Sequence, residues 1–339
     1  MPQSITIIGD GAMATVCALL LDSQGESVTM WGNSADHVAA LVQTRENRRY
    51  LPGHRLPDTL RVTASEAAAF AESKLIVSAV PTQYMRQVWT RLRPAVPPRV
   101  PVVSVAKGIE NQTLLRPTQI IADVLNDDPD GAPRPLASIS GPSVADELAR
   151  CLPATVCAAS DDEAFARVLQ KTFTCQWFRV YTNTDLLGVE LAGATKNVIA
   201  LAAGILDGLQ AGINAKSALL ARGLAEITRL GTAMGARAET FYGLAGVGDL
   251  ATTCFSVTGR NRTCGEQLGK GRKLEDVLRN MHGVVEGVPT TKSVVELAAK
   301  YRVEMPITQA VYQVLFEKLD PIEAISNLMN RGLKAEKVG

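Results

Sequence analysis

Apolar positions fall in short β-branched runs over the first half of the chain and at helical spacing over the second. Ile5-Thr6-Ile7-Ile8 is the first run. It breaks at Gly9-Asp10-Gly11, after which Val16, Leu19 and Leu20 recur as one face of a helix. Further runs over 27–31, 74–80, 100–105, 136–139, 155–159 and 178–181 read as strands, with Pro81 closing the second of these. A helix is expected over 161–172, capped by Ser160, and the Asp-, Pro- and Gly-rich stretch 126–135 reads as a loop. Alternation of this kind predicts a parallel, doubly wound α/β sheet. After about Asp185 strand signals nearly vanish, and helices are expected over 186–209, 215–235, 274–279, 290–300 and 308–318.

The first strand and helix are joined by Gly9-x-Gly11-x-x-Ala14. Gly9 permits the tight turn, Gly11 lets a pyrophosphate approach the backbone, and Ala14 lets the helix lie against the strand. The helix N-terminus then offers N–H groups to the phosphates. The predicted organisation is a Rossmann-type dinucleotide-binding domain over 1–185 and an all-helical substrate domain over 186–339, with the site in the cleft between them.

Composition narrows the function. At 46% hydrophobic residues a sizeable core is available, and a net charge of +1 gives no electrostatic case for nucleic acid or an anionic membrane. No apolar run is read as approaching the roughly 20 residues that span a bilayer. The N-terminal apolar run lacks a basic region ahead of it and reads as strand and turn, not as a signal peptide. Six cysteines without C-x-x-C spacing read as reduced, mostly buried thiols of a cytoplasmic protein, and His37, His54 and His282 show no metal-ligand spacing.

Several residues carry candidate chemistry. Lys196 has only Ala192, Gly193, Ile199 and Ala200 as helical neighbours, so no carboxylate pairs with it at i,i+4. It either snorkels at an edge or sits in a cleft, desolvated, with a lowered pKa suited to proton transfer. Asn197 faces another side and is either a buried link or a substrate ligand. Lys107-Gly108 follows a strand, where ligands of open α/β sheets bind. Asp249 lies in Gly246-Val-Gly-Asp-Leu250, a glycine-rich turn or cap whose flexibility lets the carboxylate point into a cavity; Thr253 follows. Arg260, in Gly259-Arg-Asn-Arg262, is either a phosphate grip or part of a solvated helix start. Glu286 either accepts from a ribose or amide or caps a turn. Asn33 and Ser34 stand where NAD-specific sites place an acid, and no carboxylate follows until Asp36, so NADP is expected to be accepted, with NAD alongside.

In order along the chain, Ile8-Gly-Asp-Gly-Ala-Met-Ala14, Ser104-Val-Ala-Lys-Gly-Ile-Glu110, Ser140-Gly-Pro-Ser143 and Gly188-Val-Glu-Leu-Ala-Gly-Ala-Thr-Lys-Asn-Val-Ile199 resemble the bacterial type of the NAD(P)-dependent glycerol-3-phosphate dehydrogenase family. So do Thr228-Arg-Leu-Gly231, Gly246–Leu250, Gly259–Arg262, Val284-Val-Glu-Gly287 and Met305-Pro-Ile-Thr308. The resemblance implies interconversion of dihydroxyacetone phosphate and sn-glycerol 3-phosphate, supplying glycerophospholipid synthesis, in a cytoplasmic homodimer. It makes Lys196 the general acid/base. It places Lys107, Gly141, Ser143, Asp249, Arg260 and Asn261 at substrate positions, with Asn197, Thr253 and Gly259 completing that set. Ala12, Met13, Asn33, Lys107, Ala145, Arg260, Val284 and Glu286 fall at cofactor positions, beside Gly9 and Gly11. Asp10, Ala12 and Gly259 depart from the family pattern: Asp10 adds a negative charge near the pyrophosphate, Ala12 removes a hydroxyl, and Gly259 stands where serine is common. The alternatives are a 2-hydroxyacid or ketopantoate reductase, or a non-enzymatic redox sensor that binds the dinucleotide.

Overall fold

A computed structural model describes residues 3–126, 133–281, 283–333 and 335–336. The chain divides into two compact units, one of Met1–Ala106 with Pro117–Leu186, the other of Lys107–Arg116 with Leu187–Gly339. The segment Lys107–Arg116 thus belongs with the helical unit, although its sequence lies inside the α/β half.

The first unit holds strands β1 (Ser4–Ile8), β2 (Ser27–Trp31), β3 (Glu46–Asn47), β4 (Leu51–Arg55), β5 (Arg61–Thr63), β6 (Leu75–Ser78), β7 (Val102–Ser104), β8 (Leu136–Ser140), β9 (Ala154–Ala159) and β10 (Phe178–Asn183). Eight form one sheet in the order β10-β9-β8-β7-β6-β1-β2-β5, and β3 with β4 forms a separate hairpin. Helices on the faces cover central strands completely, so Ile5, Thr6, Ile7 and Ile8 are all buried and the run reads as continuous rather than alternating. Pairing is parallel from β5 through β8, but β9 runs antiparallel to β8 and β10 follows β9, which corrects the expectation of a wholly parallel sheet. The physical cause is the connection. The helix after β8, Ala145–Ala149, has 5 residues, about 7.5 Å, too short to carry the chain back along the strand for a parallel return.

Gly9 has φ +119°, and a Cβ there would stand 2.9 Å from the Ala79 carbonyl oxygen, so the turn after β1 tolerates only glycine. Its N–H donates to the Trp31 carbonyl at 2.9 Å. Gly11 is the N-cap of the helix Ala12–Ser23, and a Cβ on it would meet no atom within 4 Å. The helix expected over 161–172 runs Glu163–Phe173, and its cap is Asp162, not Ser160. Asp162 Oδ1 accepts from the Ala164 and Phe165 amides, while Ser160 Oγ donates to the Leu136 carbonyl at 2.7 Å. The hairpin at Glu46–Arg55 escaped the sequence reading because its short strands, Glu46–Asn47 and Leu51–Arg55, lack apolar alternation. Residues 127–132 of the expected loop lie outside the described residues.

The second unit is helical and is built on Leu186–Gly208, whose apolar residues form the centre of the cluster that includes Ile227, Leu230, Phe241, Leu250 and Leu297. This 23-residue helix has a mean hydropathy of 1.4 over a span-length window, enough to cross a bilayer, which corrects the reading that no such run exists. That window is entirely buried within the protein, so the helix is core. Its small residues serve close approach. A Cβ on Gly204 would fall 1.9 Å from the Arg262 carbonyl, and one on Gly265 would fall 2.0 Å from the Leu201 carbonyl. The helix Arg260–Gly269 therefore crosses Leu186–Gly208 at backbone contact, and that brings Asn261 beside Asn197.

Candidate active site

One carboxylate in the second unit gathers two lysines. Asp249 opens the helix Asp249–Phe255 and is 2% exposed. Its Oδ1 accepts from Lys196 Nζ at 2.6 Å and its Oδ2 from Lys107 Nζ at 2.5 Å. Lys196 Nζ also donates to Thr253 Oγ1, one turn further along the Asp249 helix, and that hydroxyl lies 3.3 Å from Asp249 Oδ1. Of the glycines before Asp249, Gly246 serves close packing. A Cβ on Gly246 would land 1.9 Å from the Phe241 carbonyl, so Gly246 is there to let the Leu244–Gly248 π turn pack down on Phe241. The carboxylate is fixed by that turn and by the helix it starts.

Lys196 does not snorkel: it is 6% exposed in mid-helix. Burial pulls its ammonium pKa down, Asp249 pulls it back up, and Lys107 lowers it again, leaving about 8 against an ordinary 10.5. Desolvation is the leading cause, as a lysine held in a cleft requires, and repulsion by Lys107 is a lesser one. Burial alone would raise the Asp249 carboxyl; the two ammonium groups outweigh it and hold it below the usual carboxylate value. The set can therefore keep one anion charged while an amine titrates close to neutrality.

Asn197 and Asn261 form an amide relay. Asn197 Nδ2 donates to the Lys107 carbonyl at 3.0 Å, Asn261 Nδ2 donates to Asn197 Oδ1 at 2.9 Å, and Asn261 Oδ1 accepts from the Gly287 amide at 2.9 Å. Lys107–Arg116, Leu186–Gly208, Arg260–Gly269 and Gly287–Tyr301 are thereby tied together. Two further ties hold Lys107–Arg116: Arg116 Nη1 meets the buried Glu190 at 2.5 Å, and Ser293 Oγ donates to the Ile109 carbonyl at 3.1 Å. Glu190, Ser293 and Arg116 were not singled out from the sequence. Glu190 stands six residues before Lys196, and an acid among the apolar residues of the first turns of that helix was the available signal.

Arg260 is exposed at the first turn of its helix, with Gly259 as N-cap at φ −67°, a conformation any residue adopts. Gly283, at φ +89°, leaves room for the Arg260 guanidinium: a Cβ there would lie 2.9 Å from Nη1. Val284 is half-buried, and Glu286 is the N-cap of Gly287–Tyr301, its carbonyl accepting from the Thr290 amide.

The first unit carries the other predicted residues. Ala12 and Met13 begin the helix after the glycine turn, where the first N–H groups precede intrahelical bonding. Together with the open space over Gly11, they fit a pyrophosphate. Asn47 Nδ2 props this turn by donating to the Asp10 carbonyl at 2.9 Å and to Thr15 Oγ1 at 2.8 Å, a role with no sequence signal. Gly141 has φ +145° against Val156, Ser143 Oγ donates to the Gly141 carbonyl at 2.9 Å, and Ala145 starts the short helix that follows. Asn33 Oδ1 accepts from Arg91 Nη1 at 2.8 Å, and Ser34 caps the helix Ala35–Thr44 by accepting from the His37 amide. Among the described residues no group of three or more His, Cys, Asp or Glu is arranged to hold a metal ion; His282 lies outside them.

The family models described as NAD-dependent glycerol-3-phosphate dehydrogenase, N-terminus and C-terminus, match residues 4–166 and 185–326. A protein of Geobacter sp. (strain M21) named glycerol-3-phosphate dehydrogenase, NAD(P)+, is 46% identical over 100% of both chains. Its namesake from Geobacter sulfurreducens is 48% identical over 99% of this chain and 100% of its own. The crystal structure of glycerol-3-phosphate dehydrogenase from Coxiella burnetii superposes with a TM-score of 0.92 at 37% identity, covering 97% of this chain and 99% of that one.

Proposed function

The chain belongs to the NAD-dependent glycerol-3-phosphate dehydrogenase family, and from that premise we propose that it works through the lysine–aspartate set just described. It is an NAD(P)-dependent oxidoreductase interconverting dihydroxyacetone phosphate and sn-glycerol 3-phosphate. Gly9, Gly11, Ala12 and Met13 hold the dinucleotide pyrophosphate, and the bound nicotinamide supplies the hydride for reduction and takes it in oxidation. Lys196 does the proton work. As ammonium it stabilises negative charge growing on the ketone oxygen and donates the proton; as neutral amine it accepts the proton from the alcohol. With a pKa of about 8, roughly nine-tenths is ammonium at pH 7 and a usable minority is neutral.

Asp249 fixes the Lys196 nitrogen in place and limits the fall in its pKa. Lys107 adds a second positive charge for an anionic substrate, and its own position depends on the Asn197–Asn261 relay. Arg260 grips the substrate phosphate through parallel N–H donors, with Asn261 contributing from the same helix start. Gly141, Ser143, Asn197, Thr253 and Gly259 complete the substrate set; Asn33, Ala145, Val284 and Glu286 complete the cofactor set. Supply of glycerol 3-phosphate to phospholipid synthesis, a cytoplasmic location and assembly as a homodimer belong to the same reading, and light scattering of the purified protein tests the last.

The observation that carries the reading is a mid-helix lysine, buried and sharing one carboxylate with a second lysine. The test is turnover of dihydroxyacetone phosphate, followed at the reduced-nicotinamide absorbance, in wild type and Lys196→Met. Turnover should be lost in the variant while the dinucleotide still binds. A variant that reduces the ketone at the wild-type rate removes Lys196 from the mechanism.

A further inference from the structure

The end of β2 carries no acid of its own: Trp31 is followed by Gly32, Asn33 and Ser34. In dinucleotide-binding units a carboxylate at this place accepts the hydroxyls of the adenosine ribose and disfavours a 2′-phosphate. Here a carboxylate arrives from another part of the chain. Pairing of Ile8 with Trp31 sets the residues after β1 alongside those after β2. Asp10, the middle residue of Gly9-Asp10-Gly11, turns across to Gly32. A Cβ on Gly32 would lie 2.7 Å from Asp10 Oδ2 and 3.3 Å from Asp10 Cβ. Gly32 thus leaves room for this side chain and for Val38, whose Cγ2 would lie 2.6 Å from the same Cβ.

The groups around the carboxylate are specific. Asn47 holds the Asp10 backbone carbonyl. Burial raises the Asp10 carboxyl pKa and outweighs His37, the backbone amides of Asp10 and Asn33, and Arg49, which act to lower it; the half-buried carboxylate has N–H donors beside it. Arg91 is the cation nearest the Asn33 side chain, but it is already engaged. Its Nη2 lies 2.6 Å from Glu66 Oε1, its Nη1 donates to Asn33 Oδ1, and its guanidinium stacks 5.2 Å from the Trp31 ring centroid. Ser34 is committed as a helix cap. The side-chain oxygens of Asn33 and Ser34 are thus engaged as acceptors, and the carboxylate set against Gly32 at the strand end is that of Asp10.

We propose that Asp10 sets cofactor choice: delivered from the glycine turn to the end of β2, its carboxylate receives the adenosine ribose hydroxyls and excludes a 2′-phosphate, so that NAD is preferred to NADP. This rests on the reading that the glycine turn holds the dinucleotide. A phosphate dianion beside the carboxylate would meet like-charge repulsion, and the ribose hydroxyls would lose an acceptor if Asp10 were removed.

Two measurements test it. The first compares kcat/KM for NADH and NADPH, with dihydroxyacetone phosphate as substrate, in wild type and Asp10→Ala. Wild type should favour NADH by at least tenfold, and the variant should lower that ratio at least tenfold. The second needs no variant: ADP-ribose and 2′-phospho-ADP-ribose are compared as inhibitors competitive with NADH, and ADP-ribose should bind wild type at least tenfold more tightly. Equal inhibition constants, a wild-type preference for NADPH, or an unchanged ratio in Asp10→Ala overturns the role of Asp10. Failure of both ADP-riboses to compete with NADH overturns it at a different point, because the glycine turn is then not where the cofactor binds.

Discussion

Replacing Asp249 with asparagine removes the one negative charge between the Lys196 and Lys107 ammonium groups while keeping size and a hydrogen-bond acceptor. The Lys196 nitrogen lies 2.6 Å from the carboxylate. At an effective dielectric of about 20, unit charges about 3 Å apart attract by roughly 5 kcal/mol. The amide dipole replaces part of this, so the loss felt by the ammonium should be of the order of a removed counter-charge, about 1–3 pKa units. From about 8, a drop of about two units brings Lys196 near 6, and the ammonium fraction at pH 7 falls from roughly nine-tenths to roughly one-tenth. Ketone reduction, which needs the ammonium, should then slow about tenfold at pH 7 and recover as pH falls below 6. Alcohol oxidation, which needs the neutral amine, should lose little for this reason. The assay is kcat for reduction against pH in both proteins, since its alkaline limb reports the acid in the substrate complex. The reasoning fails if the limb stays at the wild-type pH, or if the loss is the same at every pH, which would mark Asp249 as a geometric support alone.

Lys107→Met should move the same limb the other way, to higher pH, because a like charge that lowers the Lys196 pKa is gone; a limb displaced downward contradicts the assignment. The stability of Lys196→Met should differ from wild type in a pH-dependent manner. The folded pKa of Lys196 is depressed to about 8 from 10.5, so burying the charged amine opposes folding fully below pH 8. That penalty fades between pH 8 and 10.5, as the folded protein releases the proton before the unfolded chain does. Denaturant midpoints should therefore show wild type gaining on the variant across that window, and a constant gap would refute the shift. Arg260→Ala should raise KM for dihydroxyacetone phosphate at least tenfold with a smaller effect on kcat; an unchanged KM removes the phosphate role. Gly9→Ala combines φ +119° with a contact of 2.9 Å to the Ala79 carbonyl. It should cost on the order of 1–3 kcal/mol of stability and weaken NADH binding by titration, and a variant with wild-type melting and binding would refute the strain.

Much of the frame was legible because it depends on local chemistry. β2 was read as 27–31 and is Ser27–Trp31, and the long helix read as 186–209 is Leu186–Gly208. In both, period and flanking residues agree with the tertiary outcome. The cap of the helix Glu163–Phe173 was misread by two residues, since Ser160 and Asp162 are equally good capping types and only the backbone path chooses between them. The direction of β9 could not be read, because strand polarity depends on how a connection folds back, not on the strand's own composition. At the candidate site, Lys196 was conspicuous for the carboxylates missing around it. Asp249 and Lys107 were visible only as separate polar residues in glycine-flanked segments. That these two pair across 142 positions of chain has no signature at either end.

The sequence by itself determined what local interactions decide: the strand–glycine turn–helix that fits a pyrophosphate, the change from alternating elements to helices near Asp185, and a lysine set among small apolar residues. Tertiary structure alone decided the chemistry of the charged groups. Lys196 is buried where the helix Asp249–Phe255 meets it with Asp249 and Thr253, and its pKa depends on a carboxylate fifty-three positions away. The reach of Asp10 to Gly32 likewise exists only because β1 and β2 lie side by side. Charge and solvation are properties of neighbours in space, and distance along the chain does not encode them.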